Sequence, residues 1–218
     1  MQLVKTKYNE DLLEGLARKA TKKVVLLYSG GVDSTAAGLL LLKQGYQIYP
    51  LFINYHQTAL KAEKFLVERS STLLGFETTK VIETNLLNEL TKSKLLGQTA
   101  ISDDNAWVPG RNTLFMIIAG IFAKQINADG ICIGYMLDDN FVFGDNDYFH
   151  HIGVEELLSK SFLQPMHVFM PTANFHKKEL IDLLKKENVL QQTVSCWNAI
   201  IKNNAIISCG KCVNCLER

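Results

Sequence analysis

Val24-Val25-Leu26-Leu27-Tyr28-Ser29-Gly30-Gly31-Val32-Asp33-Ser34-Thr35 is the stretch on which the fold turns. Val24–Tyr28 is a continuous apolar run, as expected of a strand buried on both faces. Ser29-Gly30-Gly31 ends the run. Ser34–Gln44 then reads as a helix carrying Leu39, Leu40 and Leu42, with Gly45 as its stop. Two glycines let the backbone turn tightly and come close to a ligand. The helix start adds free N–H groups and a positive dipole end, which suit phosphate. The hydroxyls of Ser29, Ser34 and Thr35 are further donors. Asp33 conflicts with that reading, because a carboxylate repels phosphate. A divalent cation between them resolves the conflict, so Mg²⁺ is expected. The loop is neither a Walker-type loop nor the Gly-x-Gly-x-x-Gly dinucleotide fingerprint. The competing, purely structural reading is a glycine-rich turn in which Asp33 or Ser34 caps the helix.

Outward from this loop, strands and helices alternate. Gln47–Asn54 reads as a strand, Leu60–Leu74 as a helix stopped by Gly75, and Glu77–Ile82 as a strand. Leu86–Leu96 has a helical pattern, residues 97–107 are a polar loop, and Asn112–Gln125 is a strongly apolar helix. Gly130–Gly134 is a fourth strand. Residues 135–151, rich in Asp, Asn and aromatic side chains, read as a functional loop. Val154–Ser161 and His176–Asn188 read as helices, as does the amphipathic stretch 9–20. This alternation predicts an α/β fold with a doubly wound parallel sheet, which binds ligands at the carboxyl ends of its strands.

Composition narrows the function classes. The chain has 218 residues, 47% hydrophobic and 21% charged, with 14 Gly and 4 Pro. These values exclude a disordered chain, a collagen-like repeat and a disulfide mini-protein. Lys and Arg number 23 against 22 Asp and Glu, a net charge of +1, so there is no strong nucleic-acid signal. No apolar run reaches the ~18 residues of a membrane span, and the charged start does not read as a secretory signal. The expected location is cytoplasmic, where thiols stay reduced and clustered cysteines point to metal or catalysis.

Cys196, Cys209, Cys212 and Cys215 form such a cluster. Four thiolates at these spacings can close a tetrahedral Zn²⁺ shell without an open position, so the metal is expected to be structural, with an iron–sulfur cluster as the alternative. The tail has too little apolar periodicity to fold alone, and metal binding would supply that stability. Cys132, in an apolar strand, reads as a core residue. Val108-Pro109-Gly110-Arg111-Asn112 reads as a turn into the apolar helix, with Asn112 as its cap. Arg111 at a helix start opposes the dipole, which an anionic partner would explain. His150-His151 reads either as a ligand pair or as a solvated loop pair.

Ser-Gly-Gly-Val-Asp-Ser resembles the loop of the N-type ATP pyrophosphatases. Together with Val-Pro-Gly-Arg-Asn and the terminal cysteine pattern, it is similar to the 7-cyano-7-deazaguanine synthase family. That resemblance implies a sheet of the adenine nucleotide alpha hydrolase type over residues 1–190. It also implies a small C-terminal zinc-binding segment, residues 191–218, packed on the same domain. It implies ATP-dependent conversion of 7-carboxy-7-deazaguanine and ammonia to the nitrile, with Mg²⁺ and structural Zn²⁺. Ser29, Gly30, Gly31, Val32, Asp33, Ser34 and Thr35 would bind ATP and its cation. Arg111, Asn112, Asp139, Phe143 and Asp145 would form the substrate side. Asp33, Arg111 and Lys177 would carry the chemistry. A homodimer is implied by the resemblance alone.

The chain departs from the family on the substrate side. Asn146-Asp147 stands where the family has Cys-Arg, and Thr58-Ala59 follows Gln57 where the family has Arg-His. Replacing an arginine by an aspartate reverses a charge that could meet an anionic substrate. These departures allow a member that passes an adenylated acid to another amine, on a protein acceptor in a defence setting. A non-catalytic nucleotide-binding zinc module is the reading from a different class. Transfer-RNA thiolation ranks below both, because the cysteines sit at zinc spacing.

Overall fold

A computed structural model describes residues 20–97, 99, 102–136 and 144–218. The expected helix at 9–20 lies outside them, apart from residue 20, and so do Asp139 and Phe143. The central sheet has five strands: β1 (Lys23–Leu27), β2 (Gln47–Asn54), β3 (Lys80–Glu83), β4 (Gly130–Cys132) and β5 (His167–Phe169). All pair in parallel, in the order β3-β2-β1-β4-β5. The chain runs outward from β1 to β3, then returns to the other side of β1 with β4. The direction of winding therefore reverses between β1 and β4, and the crevice at that point is where doubly wound sheets bind ligands.

Residue alternation in β1 explains the layers. Val24, Leu26 and Tyr28 pack into the core on one face, with α1 (Val32–Lys43) and α7 (Lys177–Lys186). Val25 and Leu27 pack on the other, with α5 (Arg111–Gln125) and α6 (Tyr148–Phe162). Both faces are covered, which is why β1 is apolar from Val24 onward. Between β2 and β3 lies α2 (Leu60–Leu73), whose start also meets the cysteine tail. Ala59, Ala62 and Leu66 pack with Val194, Cys196, Ala199 and Cys212. Among the described residues, no helix is long and apolar enough to cross a membrane.

Several boundaries differ from the sequence-based expectation. The strand expected over 77–82 is ladder-paired only from Lys80, opposite Leu51. The helix expected over 86–96 stops as α3 (Leu86–Leu90), because Thr91 turns extended and Leu95 leaves to bury itself beside Tyr55, Leu87 and Val108. The polar stretch before the Pro-Gly turn contains a short helix, α4 (Asp103–Ala106), closed by a capping box between Ser102 and Asn105. Asp147 caps α6, so that helix starts six residues before the expected Val154. Strand β5 is three residues long, too short to show a period. The tail holds an antiparallel hairpin, β6 (Ile200–Lys202) and β7 (Ala205–Ile207), followed by α8 (Val213–Leu216). Asn203 and Asn204 both take positive φ, 51° and 58°, the signature of a type I′ turn.

Candidate active site

A cavity of about 340 Å³ opens at the carboxyl ends of β1 and β4, where the winding reverses. Ser29, Gly31, Asp33 and Ser34 form one wall. Gly31, not Asp33 or Ser34, is the N-cap of α1, and no side chain caps it. The first N–H groups of the helix are thus left without side-chain partners at the cavity mouth. Gly30 takes φ +76°, and a Cβ there would meet Leu66 at 3.0 Å and Val67 at 3.2 Å, so the loop can lie this close to α2 only with glycine. At Gly134, just past β4, a Cβ would stand 2.6 Å from the Ser34 nitrogen, so glycine allows the end of β4 to lie this close to the start of α1. Gly30, Val32 and Thr35 are buried and do not line the cavity.

Asp33 does not face this space alone. Lys177, at the first position of α7, donates from Nζ to Oδ1 at 2.8 Å and to Oδ2 at 2.7 Å. The pair bridges two distant elements, and both residues line the cavity. Arg111 and Asn112 also line it. Gly110, in the left-handed region at φ 71°, is the N-cap of α5, so Asn112 is inside the first turn and does not cap the helix. Instead the Asn112 backbone N–H donates to Asp145 Oδ2 at 3.0 Å, and its Nδ2 donates to the Asp145 carbonyl at 3.3 Å. Asp145 therefore places a negative charge at the start of α5, where the dipole favours it. Arg111 donates to Asn112 Oδ1 at 3.3 Å and, more distantly, to the Tyr55 hydroxyl at 3.5 Å.

Further groups line the cavity beside these motif residues. Glu63, on α2, accepts from Gln57 Nε2 at 2.7 Å. Burial pushes its carboxyl up to about 7, with the Gln57 bond and the nearby Arg111 charge partly opposing. His151 is 1% exposed, so the solvated-pair reading does not hold for it; α6 carries it inward. Its neighbour His150 pairs with Thr113, Nε2 to Oγ1 3.0 Å. Asn146 lines the cavity, whereas Asp147 does not: its carboxylate accepts from the His150 N–H at 2.9 Å as the cap of α6. The charge reversal at position 147 thus falls on a helix cap. Ser195, Trp197 and Asn214 bring the tail into the same wall. A helix charge such as Glu63 has no sequence signal of its own, but Asp147, followed by an apolar-aromatic run, reads as an N-cap once the helix is placed.

The tail itself gathers the four thiols. The Sγ atoms of Cys196, Cys209, Cys212 and Cys215 all lie within 4.8 Å of one another. Two of the edges are 3.5 Å and 3.9 Å. A tetrahedron with Zn–S bonds of ~2.3 Å has edges of ~3.8 Å, so the donor set fits that ion. Backbone N–H groups of Cys209 and Asn198 donate to Cys196 Sγ at 3.1 Å and 3.4 Å, which would orient and stabilise a thiolate ligand. The Val194 N–H donates to the Gly30 carbonyl at 2.8 Å, tying the tail to the Ser29-Gly30-Gly31 turn. Cys132 is a core residue whose thiol is pushed up by burial alone.

Comparison with known proteins agrees with this geometry. The family of queuosine biosynthesis protein QueC matches residues 23–218. The 7-cyano-7-deazaguanine synthase 2 of Sulfurisphaera tokodaii is 33% identical over 218 residues, covering 93% of this chain and 46% of that protein. The 7-cyano-7-deazaguanine synthase of Campylobacter jejuni subsp. jejuni is 29% identical over 213 residues, covering 91% of this chain and 92% of that one. The chain thus spans about half the archaeal relative and nearly all of the bacterial one. Among solved structures, the U34-tRNA thiolase NcsA from Methanococcus maripaludis, with its 4Fe–4S cluster, superposes with a TM-score of 0.56 at 17% identity, covering 88% of this chain and 67% of that one. NMN synthetase from Francisella tularensis gives 0.52 at 17% identity, covering 88% and 75%. At such identities these two share the fold alone. The whole-chain match and the assembled loop, cavity and cysteine cluster lead to one assignment: the chain belongs to the queuosine biosynthesis protein QueC family.

Proposed function

We propose that this protein is an ATP-dependent ligase that converts 7-carboxy-7-deazaguanine and ammonia into 7-cyano-7-deazaguanine. The observation that carries the reading is a single cavity lined by Ser29, Gly31, Asp33 and Ser34 at a helix start, with Lys177 and Arg111 beside them. A phosphate chain fits the uncapped start of α1. The substrate carboxylate attacks the α-phosphorus of ATP and pyrophosphate leaves. Ammonia then displaces AMP from the acyl adenylate to give the amide. The amide oxygen then attacks the α-phosphorus of a second ATP, pyrophosphate and one amide proton leave, and loss of AMP with the remaining N–H proton gives the nitrile. The chain's part is positioning and charge stabilisation. Lys177 and Arg111 offset charge on the phosphates and the acid. Asp33 is the group that would hold Mg²⁺, a cation that neutralises phosphate charge, and the four cysteines would hold a structural Zn²⁺.

Transfer to a protein amine in a defence setting and a non-catalytic zinc module are not favoured, because the family match and the cavity both support the synthase chemistry. A homodimer rests on the family resemblance alone. The test is mass spectrometry of the small molecules after incubation with ATP, Mg²⁺, the acid and ammonium. Nitrile and AMP are expected. Asp33→Ala should lower turnover by about 100-fold or more. An acid that is recovered unchanged, with ATP intact, would sink the proposal.

A further inference from the structure

Among the described residues that line the cavity, His151 is the one whose buried side-chain polar atoms have no hydrogen-bond partner. Its position is built, not incidental. Asp147 caps α6, and its carbonyl accepts from the His151 N–H at 3.1 Å. His150 bonds Thr113, while His151, one residue on, is buried in the cavity wall. There the His151 ring meets Tyr135 edge-on, with centroids 4.9 Å apart. Burial and the neighbouring His150 push the imidazole down to about 4, with Asp147 and Asp145 opposing. It is therefore neutral at working pH, with one nitrogen a donor and the other an acceptor.

We propose that His151 is a specificity-determining residue: its imidazole hydrogen-bonds the uncharged polar edge of the heterocyclic acid bound in the cavity. This deepens the function proposed above and rests on it. The charges of the cavity are already divided. Lys177 and Arg111 are cationic and suit phosphate and carboxylate. A neutral donor–acceptor ring suits the other end of the molecule, where a lactam N–H and carbonyl lie side by side. Leaving both ring nitrogens unmatched is unfavourable in a dry wall, and a ligand presenting an acceptor or a donor removes that cost. An apolar residue would fill the same space without discriminating, whereas a site with polar groups rejects ligands that cannot match them.

The test uses the full chain with His151→Phe and His151→Asn. Steady-state kinetics would vary the acid at saturating ATP and ammonium, then vary ATP. For His151→Phe, KM for the acid should rise about tenfold, while kcat and KM for ATP stay within about threefold. Its melting temperature should hold or rise, because an unpaired polar group is replaced by an apolar one. His151→Asn, which keeps a donor and an acceptor, should recover part of the affinity. Nitrogen-15 histidine spectra of the wild type give an independent reading: the His151 resonances should move on adding the acid and not on adding ATP alone. An unchanged KM for the acid, or unmoved resonances while the wild type turns the acid over, overturns the proposal and spares the function. Parallel losses in melting temperature and both KM values would mark a structural role and also overturn it. A wild type that makes no product from the acid overturns the function itself, and this role with it.

Discussion

Glu63 carries the cavity's effect on a single titrating group. Its carboxyl is pushed up from an ordinary 4.5 to about 7, chiefly by burial. The folded chain therefore holds that proton more tightly than the unfolded chain does. The resulting stabilisation is complete below about pH 4.5 and is lost as pH rises through 7. Glu63→Gln cannot titrate. In urea unfolding at pH 5, 6, 7 and 8, wild-type stability minus that of Glu63→Gln should fall with pH and level off above 7. His151, pushed down to about 4, contributes the opposite slope over lower pH, but it is present in both proteins and cancels. A difference that stays flat across the series would mean that Glu63 is solvated in solution. Glu63 was not legible as a site in the sequence, whereas His151 stood there as half of a pair readable either as a ligand pair or as a solvated one. Glu63 is one charge among several on a helix, and only its burial in the folded chain, which the sequence does not show, makes it unusual.

Local order at the level of elements was easier to read where the chain punctuates itself. The run Val24–Tyr28 and the two glycines after it predicted β1, the turn and α1, because burial on both faces leaves no polar position in the strand after Lys23. The start of α6, which depends on a side-chain cap, was misplaced. Asp147 shows the difference. By analogy with a family arginine it reads as a reversed charge in a substrate site, but its carboxylate accepts from the His150 N–H and starts α6. These two roles make opposite forecasts. As a cap, Asp147→Ala should cost about 1 kcal/mol of stability, and Asp147→Asn should cost little, since asparagine caps equally well. As a substrate-facing charge, Asp147→Asn would alter KM for the acid and leave stability alone. Thermal unfolding of both variants, with KM for the acid measured alongside, separates the two.

At the scale of the molecule, alternation along the chain was enough to predict a parallel sheet, and cysteine spacing enough to predict a metal shell. Strand order and the docking of the tail were not readable, because both depend on contacts far apart in sequence. Val194 to Gly30 is such a contact: 2.8 Å from the segment leading into the cysteine cluster to the phosphate loop. The same cluster packs Cys196 and Cys212 against Ala59, Ala62 and Leu66 of the α2 region, while Ser195, Trp197 and Asn214 reach the cavity wall. A metal that orders the tail would then also order one side of the active site. Four thiols this close, with their donors in place, have little reason to stay together without an ion, since the tail's hairpin is largely exposed. Elemental analysis of the purified protein should give about one zinc per chain, from four thiolates in one closed shell. Cys212→Ser, or removal of the metal by a strong chelator, should cost about 3–5 kcal/mol and lower the melting temperature by roughly 10 °C. ATP turnover should fall with it and return when Zn²⁺ is added back to the chelated protein. A metal-free protein that melts at the same temperature and keeps its turnover would show that the tail is held by packing alone, and that the link from cysteine cluster to phosphate loop carries no stabilisation.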